Sequence, residues 1–193
     1  MIHVEPLTFP EVRLITPRLH RDARGFFLER YRRDAFSEAG IDVVFVQDNH
    51  SRSERGTVRG LHFQRPPHAQ AKLVSVVRGT IFDVVVDVRS GSPTFGRWAG
   101  AVLDDERCRQ LFVPAGFAHG FAVRSDIADV LYKVDAPYAP DSEAGLRWDD
   151  PALGIDWGVP GSDVDAPIVS DKDRAWPGLS ELDSGFSYRP ASG

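Results

Sequence analysis

The 193 residues carry 23 Lys and Arg against 28 Asp and Glu, a formal net charge of −5, with Cys108 as the one cysteine. That balance argues against nucleic acid or an anionic membrane surface as the main partner, and a single cysteine excludes an intrachain disulfide or a thiolate cluster. There is no run of about 18 apolar residues to span a membrane, the proline- and charge-rich start lacks the apolar core of a signal peptide, and a soluble cytoplasmic protein is the default expectation.

Strand signals come first at 12–15 and 26–31. Residues 34–39, DAFSEA, predict a short helix with Asp34 as its cap and Gly40 as its stop. Extended signals resume at 43–47 and in 56–64, GTVRGLHFQ, where simple alternation turns Leu61 and Phe63 to one face and Gly60 and His62 to the other. The strongest pair is 71–78, AKLVSVVR, and 81–89, IFDVVVDVR. In the second, Phe82, Val84, Val86 and Val88 share one face, while Asp83, Asp87 and Arg89 share the other with Ile81 and Val85, the period of a half-buried strand. Arg78-Gly79-Thr80 predicts a turn joining the two as a hairpin. Further strands are expected at 98–103, 110–113, 117–123 and 129–134. Many short strands without alternating helices predict an all-β sandwich or barrel. From about residue 136 prolines and glycines thicken (APYAP, GVPGSDVDAP), which predicts an irregular C-terminal arm laid over the barrel. One domain over 1–180 is expected, with 181–193 a loose tail.

Several of these segments hold side chains suited to proton chemistry. His62 among aliphatic neighbours in a barrel mouth has the titration range of a general base; its spacing alone favours an ordinary packed histidine. Lys72 lies on an otherwise apolar strand with Asp83 of the next strand as a credible partner. An inward, paired lysine steadies a developing enolate oxygen, and a rim lysine with a snorkelling stem is the equal alternative. Tyr132 offers a phenol able to face His62 across a ring, which is what inversion of a stereocentre requires, although cross-strand packing accounts for it more simply. Arg24 and Arg59 each stand beside a glycine and suit bidentate phosphate contacts; singly, each reads as a surface arginine. FVPAGFAHGF (112–121) contains P-x-G-x-x-H, which resembles the second half of the cupin signature and aims His119 into the cavity. The first half fails: no second histidine and no glutamate follow His62 at metal-binding spacing, so no metal is expected.

Taken together, DARGFFLERY, FVQDNHSRS, GTVRGLHFQRPPHAQAKLV, FDVVVDVRSGSPTFGRW, FVPAGFAHGF, LYKVDAPYAP, LRWDDPALGIDW and VSDKD resemble, in order, the dTDP-4-dehydrorhamnose 3,5-epimerase family of the cupin superfamily. The resemblance implies a cupin-type jelly-roll barrel with short helices. It implies that His62 removes the C3 and C5 protons of a dTDP-4-keto-6-deoxyhexose, supported by Asp173 (preferred to Asp171), with Lys72 on the C4 enolate and Tyr132 as the opposing acid. Arg24, Glu29, Gln47, Asp48, Asn49, Arg59, His119, Glu143 and Lys172 fall where the family contacts substrate, and Tyr138 where it stacks on thymine. It further implies no cofactor and a homodimer in which an N-terminal segment joins the partner's sheet and some contacts, such as Glu29, come from the other subunit. A C3-only epimerase, a 3,4-ketoisomerase, a metal-dependent cupin and a non-catalytic binding cupin are the rival readings.

Overall fold

A computed structural model describes residues 2–158 and 167–189. In chain order its elements are β1 (His3–Pro6), β2 (Arg13–Thr16), β3 (His20–Asp22), β4 (Gly25–Phe27), α1 (Arg33–Glu38), β5 (Gln47–Glu54), β6 (Val58–Gln64), β7 (Lys72–Arg78), β8 (Thr80–Asp87), β9 (Trp98–Asp104), β10 (Gln110–Val113), β11 (Phe117–Val123), β12 (Ile127–Val134), β13 (Glu143–Gly145) and α2 (Asp171–Arg174). Two antiparallel sheets face each other, ordered β1-β2-β10-β7-β12-β5 and β13-β6-β11-β8-β9, while β3 and β4 form a separate hairpin. This is the expected all-β jelly roll. β1 adds as an edge to its own chain's sheet, pairing with β2. No helix among the described residues is long and apolar enough to cross a membrane.

The alternation of each strand builds three apolar layers. Val74, Val76, Ile81, Val85, Leu111, Phe121 and Val130 fill the space between the sheets. Val58, Leu61, Phe63, Val84 and Val86 point outward from the five-stranded sheet into Leu146, Leu153, Trp157 and Val169 of the C-terminal arm. Ile15, Leu73 and Phe112 point outward from the other sheet and are covered by Phe36 of α1 and Ile41.

These layers correct several expectations. β8 is buried on both faces, with Val84, Val85 and Val86 all fully enclosed, because the arm covers the face that alternation had left to solvent. Residues 71–78 and 81–89 do not form a hairpin. β7 pairs with β10 and β12, whereas β8 pairs with β9 and β11, so Gly79 marks a corner between sheets. A β-carbon there would stand 2.1 Å from the Ile127 carbonyl oxygen. The 26–31 strand stops at Phe27, since Tyr31 packs its ring on Phe36 and Phe45 instead of pairing. The strand expected at 43–47 begins only at Gln47; Val44 and Val46 stay about half exposed. Asp34 does not cap α1. The cap position is Arg32, and Asp34 accepts from Arg32 Nε and the Ala35 N–H instead. The tail is not loose over its described part: Ser184 is buried, Phe186 packs on Phe63, and Ser187 bridges Ser90. Residues 159–166 of the expected irregular stretch and 190–193 of the tail lie outside the described residues.

Candidate active site

The site begins with a fault in β6. His62 stands opposite His119 on β11, but Arg59 stands opposite Phe121, so Gly60 and Leu61 together face Gly120. That bulge adds one residue to the alternation. Val58 and Leu61 both turn outward to the arm, and Arg59 and His62 both turn to the cavity; regular pleating would have separated them. Gly60 adopts φ +128°, and a β-carbon on Gly120 would come within 2.7 Å of the Arg59 carbonyl oxygen. Two facing glycines therefore permit the backbone contact that makes the bulge.

The His62 ring lines a cavity of about 290 Å³ together with Gln47, Asn49, Lys72, Tyr132 and Glu143, and an adjoining one of about 300 Å³ brings in Arg59 and His119. Its Nε2 lies 2.6 Å from Asp173 Oδ1. Asp173 is buried at the first turn of α2; its Oδ2 accepts from the Gly60 N–H at 3.2 Å, while its own N–H donates to Ser170 Oγ. Burial raises the Asp173 carboxyl, but the bonds from His62 and Gly60 outweigh it and hold the group below the usual carboxylate range. Of the two aspartates, Asp173 is thus the one against the ring. With Nε2 committed to it, Nδ1 is the nitrogen free to take a proton.

Lys72 is only 8% exposed. Burial pulls its ammonium down to about 8, against the attraction of Asp83 and Glu143. Its Nζ donates to the His62 carbonyl at 3.1 Å. Asp83, expected as its ion-pair partner, instead pairs with His119 Nε2; both are on the inner face, and β11 lies beside β8. Tyr132 reaches the cavity from the opposing sheet, and burial raises its phenol, keeping it protonated.

Around the mouth, the Gln47 amide donates to Asn49 Oδ1 and its Oε1 accepts from the Tyr138 N–H. The Tyr138 hydroxyl donates to Glu143 at 2.6 Å, which raises the phenol, while the ring is 53% exposed. Burial raises Glu143, but bonds from Lys172 and Tyr138 prevail and hold it low. Arg59 Nε donates to Ser53 Oγ at 2.8 Å.

Three expected contacts are not brought to this cavity within the chain. Arg24 is bound to Asp22 on the exposed β3–β4 hairpin, its side chain 90% exposed. Glu29 pairs with Arg32 away from the cavity. Asp48, between two inward residues of β5, faces outward by the period of two and pairs with Lys133. Sequence reasoning missed Gln70, Ser53 and Trp176. Gln70 lines the cavity and donates to the Ala136 carbonyl, Ser53 holds Arg59, and Trp176 sets its ring edge-on to His62. Of these, only Gln70 had a signal to be found, two residues before Lys72 in HAQAKLV and so on the same side of an extended chain. Among the described residues no three His, Cys, Asp or Glu are grouped to hold a metal ion, and both cavity histidines give Nε2 to carboxylates.

Residues 6–181 match the family model described as dTDP-4-dehydrorhamnose 3,5-epimerase. A protein of that description from Sinorhizobium fredii is 48% identical over 188 residues, covering 97% of this chain and 94% of its own. The crystal structure of a dTDP-6-deoxy-D-glucose-3,5-epimerase from Legionella pneumophila, in complex with dTDP-4-keto-L-rhamnose, superposes with a TM-score of 0.91 at 42% identity, covering 98% of this chain and all of that one. A 3'-monoepimerase from Streptomyces bikiniensis, in complex with dTDP-quinovose, is similar at TM-score 0.84 and 39% identity, over 91% and 87% of the two chains.

Proposed function

The chain belongs to the dTDP-4-dehydrorhamnose 3,5-epimerase family, and from that membership we propose how its own residues carry the reaction. The activity is an isomerisation, the epimerisation at C3 and C5 of dTDP-4-dehydro-6-deoxyglucose to dTDP-4-dehydro-L-rhamnose. At each centre a carbon–hydrogen bond next to the C4 ketone breaks, its electron pair moves into the enolate, and a proton returns on the opposite face. No oxidant is consumed and no electron leaves the sugar.

His62 Nδ1 takes the proton, with Asp173 holding the ring tautomer and balancing the imidazolium as it forms. Lys72, charged at neutral pH, faces the C4 oxygen as it becomes an enolate, in a site dry enough to strengthen that attraction. Tyr132 returns a proton from the opposing sheet, its buried phenol a donor throughout the working range. Arg59, fixed by Ser53, meets the diphosphate. Gln47, Asn49, His119, Glu143 and Lys172 hold the sugar and nucleoside, and the exposed ring of Tyr138 stacks on thymine. Arg24 and Glu29 reach substrate from a second copy of the chain. In support, Phe26 and Phe27 of the same hairpin are 45% and 71% exposed, more apolar surface than a solvated turn normally leaves uncovered.

The observation that carries this reading is the 2.6 Å bond from the cavity histidine to a buried carboxylate. The test is incubation with dTDP-4-keto-6-deoxyglucose in heavy water, followed by proton spectra. Label at both C3 and C5 with L-configured product is the expected result. Label at C3 alone would make this chain a monoepimerase like the Streptomyces bikiniensis protein, and no exchange would end the reading.

A further inference from the structure

We propose that Trp176 is a second positioning residue for His62, adding a ring contact to the bond from Asp173; this rests on His62 being the base. The Trp176 and His62 ring centroids are 6.4 Å apart at 68°, the edge-to-face arrangement aromatic rings prefer. Asp173 constrains the imidazole only through one nitrogen, about which the ring is still able to rock. An indole packed across it at that angle removes that freedom.

The surroundings are built for this contact. Gly145 pairs with His62 in register, and a β-carbon on it would stand 2.7 Å from both Cε2 and Nε1 of Trp176. A bare backbone there lets the indole lie against the strand beside the histidine. The Trp176 Nε1 is buried and finds no acceptor among the described residues. Burying an unpaired N–H is unfavourable, and phenylalanine would avoid it, so hydrogen bonding does not account for the placement. The Lys172 ammonium of α2 lies 5.8 Å from the indole centroid and pairs with Glu143. Lys172, Asp173 and Trp176 thus reach the site from one short stretch, each touching a different part of it.

An aromatic pair is worth about 0.5–1.5 kcal/mol, which converts to roughly a two- to tenfold effect on turnover if the contact serves only the productive ring orientation. Trp176→Ala is expected to lower kcat by about that factor with KM changed less than about twofold, and to shift the acidic limb of the pH–rate profile. Trp176→Phe is expected to recover most of the loss. The charged and titratable groups around His62 are Asp173 and Lys172 of α2, Glu143 of β13, Lys72 of β7, Arg59 of its own strand, His119 of β11, Tyr132 of β12 and Tyr138. Neither change replaces any of these groups, and Trp176→Phe keeps a ring for Lys172 to face.

A second readout needs no substrate. A protonated imidazole quenches a neighbouring indole, so the parent's tryptophan fluorescence should fall as His62 gains its proton, and this step should be missing from Trp176→Phe. Parental kcat and pH limb in a folded Trp176→Ala, a loss confined to KM, equal losses in the Ala and Phe variants, or an identical fluorescence titration in parent and Trp176→Phe would each overturn the proposal. If the parent itself exchanges no sugar protons, the epimerase reading fails, while the fluorescence titration still decides whether the indole senses His62.

Discussion

Replacing Lys72 with methionine sets stability against activity. The ammonium is buried, and its descent from 10.5 to about 8 corresponds to about 3 kcal/mol against the charged form in the folded chain. The sign follows from proton counts. Below about pH 8 the lysine is protonated whether folded or unfolded, so the whole penalty is present; between about 8 and 10.5 the unfolded chain holds more proton, and the parent's stability from this group rises with pH. Methionine keeps the stem's packing, removes the penalty and forfeits the bond to the His62 carbonyl, a loss of about 1 kcal/mol. The variant should therefore be about 2 kcal/mol more stable than the parent at about pH 7, with the advantage disappearing toward about pH 10. Its kcat should fall by about two to three orders of magnitude, because the enolate oxygen loses its cation. The parent's own kcat should decline above about pH 8 as Lys72 loses its proton. Urea unfolding at both pH values, alongside turnover, makes the comparison. A variant less stable than the parent at neutral pH, or a gap indifferent to pH, refutes the burial argument; undiminished turnover refutes the enolate role.

Asp173→Asn should lower kcat about a hundredfold by releasing the His62 tautomer. Because the Asp173 carboxyl is depressed in the folded chain, the parent loses its contribution to stability as pH falls below about 4, and a urea titration should show the asparagine variant spared that loss. His62→Ala should abolish deuterium uptake at C3 and C5; Tyr132→Phe should instead slow net inversion more than uptake, and proton spectra showing both variants blocked at the first exchange would contradict the division between base and acid. Gly120→Ala drives a methyl group to 2.7 Å from the Arg59 carbonyl oxygen and 3.1 Å from Gly60 Cα, backbone atoms that cannot yield cheaply. It should destabilise by about 1–3 kcal/mol, and unchanged urea unfolding would mean the bulge is not under that constraint.

How much of this was legible depended on which side of a strand stayed apolar. β10 and β11 lie at the residues expected, because QLFV and FAHGFAV are uninterrupted and end at turns. β5 escaped notice because QDNHSRSE has no apolar face at all: Gln47 and Asn49 line the cavity, and His50 and Arg52 bind Asp129 on the other side. A strand that serves a site on one face and an ion-pair cluster on the other does not look like a strand. The turn at Gly79 was visible, but whether a turn joins neighbours or opposite sheets is decided by strand pairing elsewhere. Burial of β8 on both faces depended on the arm, whose apolar residues, Leu146, Leu153 and Trp157, are scattered through an irregular stretch. Among site residues, His62, Lys72, Tyr132 and Asp173 could be named from motifs, but their meeting could not be read from alternation, which sends Arg59 away from His62. The Gly60–Gly120 contact reverses that, and it joins residues 60 positions apart in the sequence.

The same contact sets two similar histidine–aspartate pairs of one barrel in different surroundings. His62 and His119 stand opposite each other on β6 and β11, and each gives Nε2 to a carboxylate. The difference lies in what surrounds them. His119 is 8% exposed beside an Asp83 that is wholly enclosed, on a strand buried along its length. His62 is 31% exposed, on the strand that the bulge turns toward the cavity, with its carboxylate delivered from α2 instead of from a neighbouring strand. A base must exchange its proton with substrate and solvent in every cycle, and only the second arrangement leaves it the access to do so. Closing the bulge would turn Arg59 out of the cavity while the His119–Asp83 pair kept its register, so the position of His62 relative to Arg59 is set by backbone packing between two glycines.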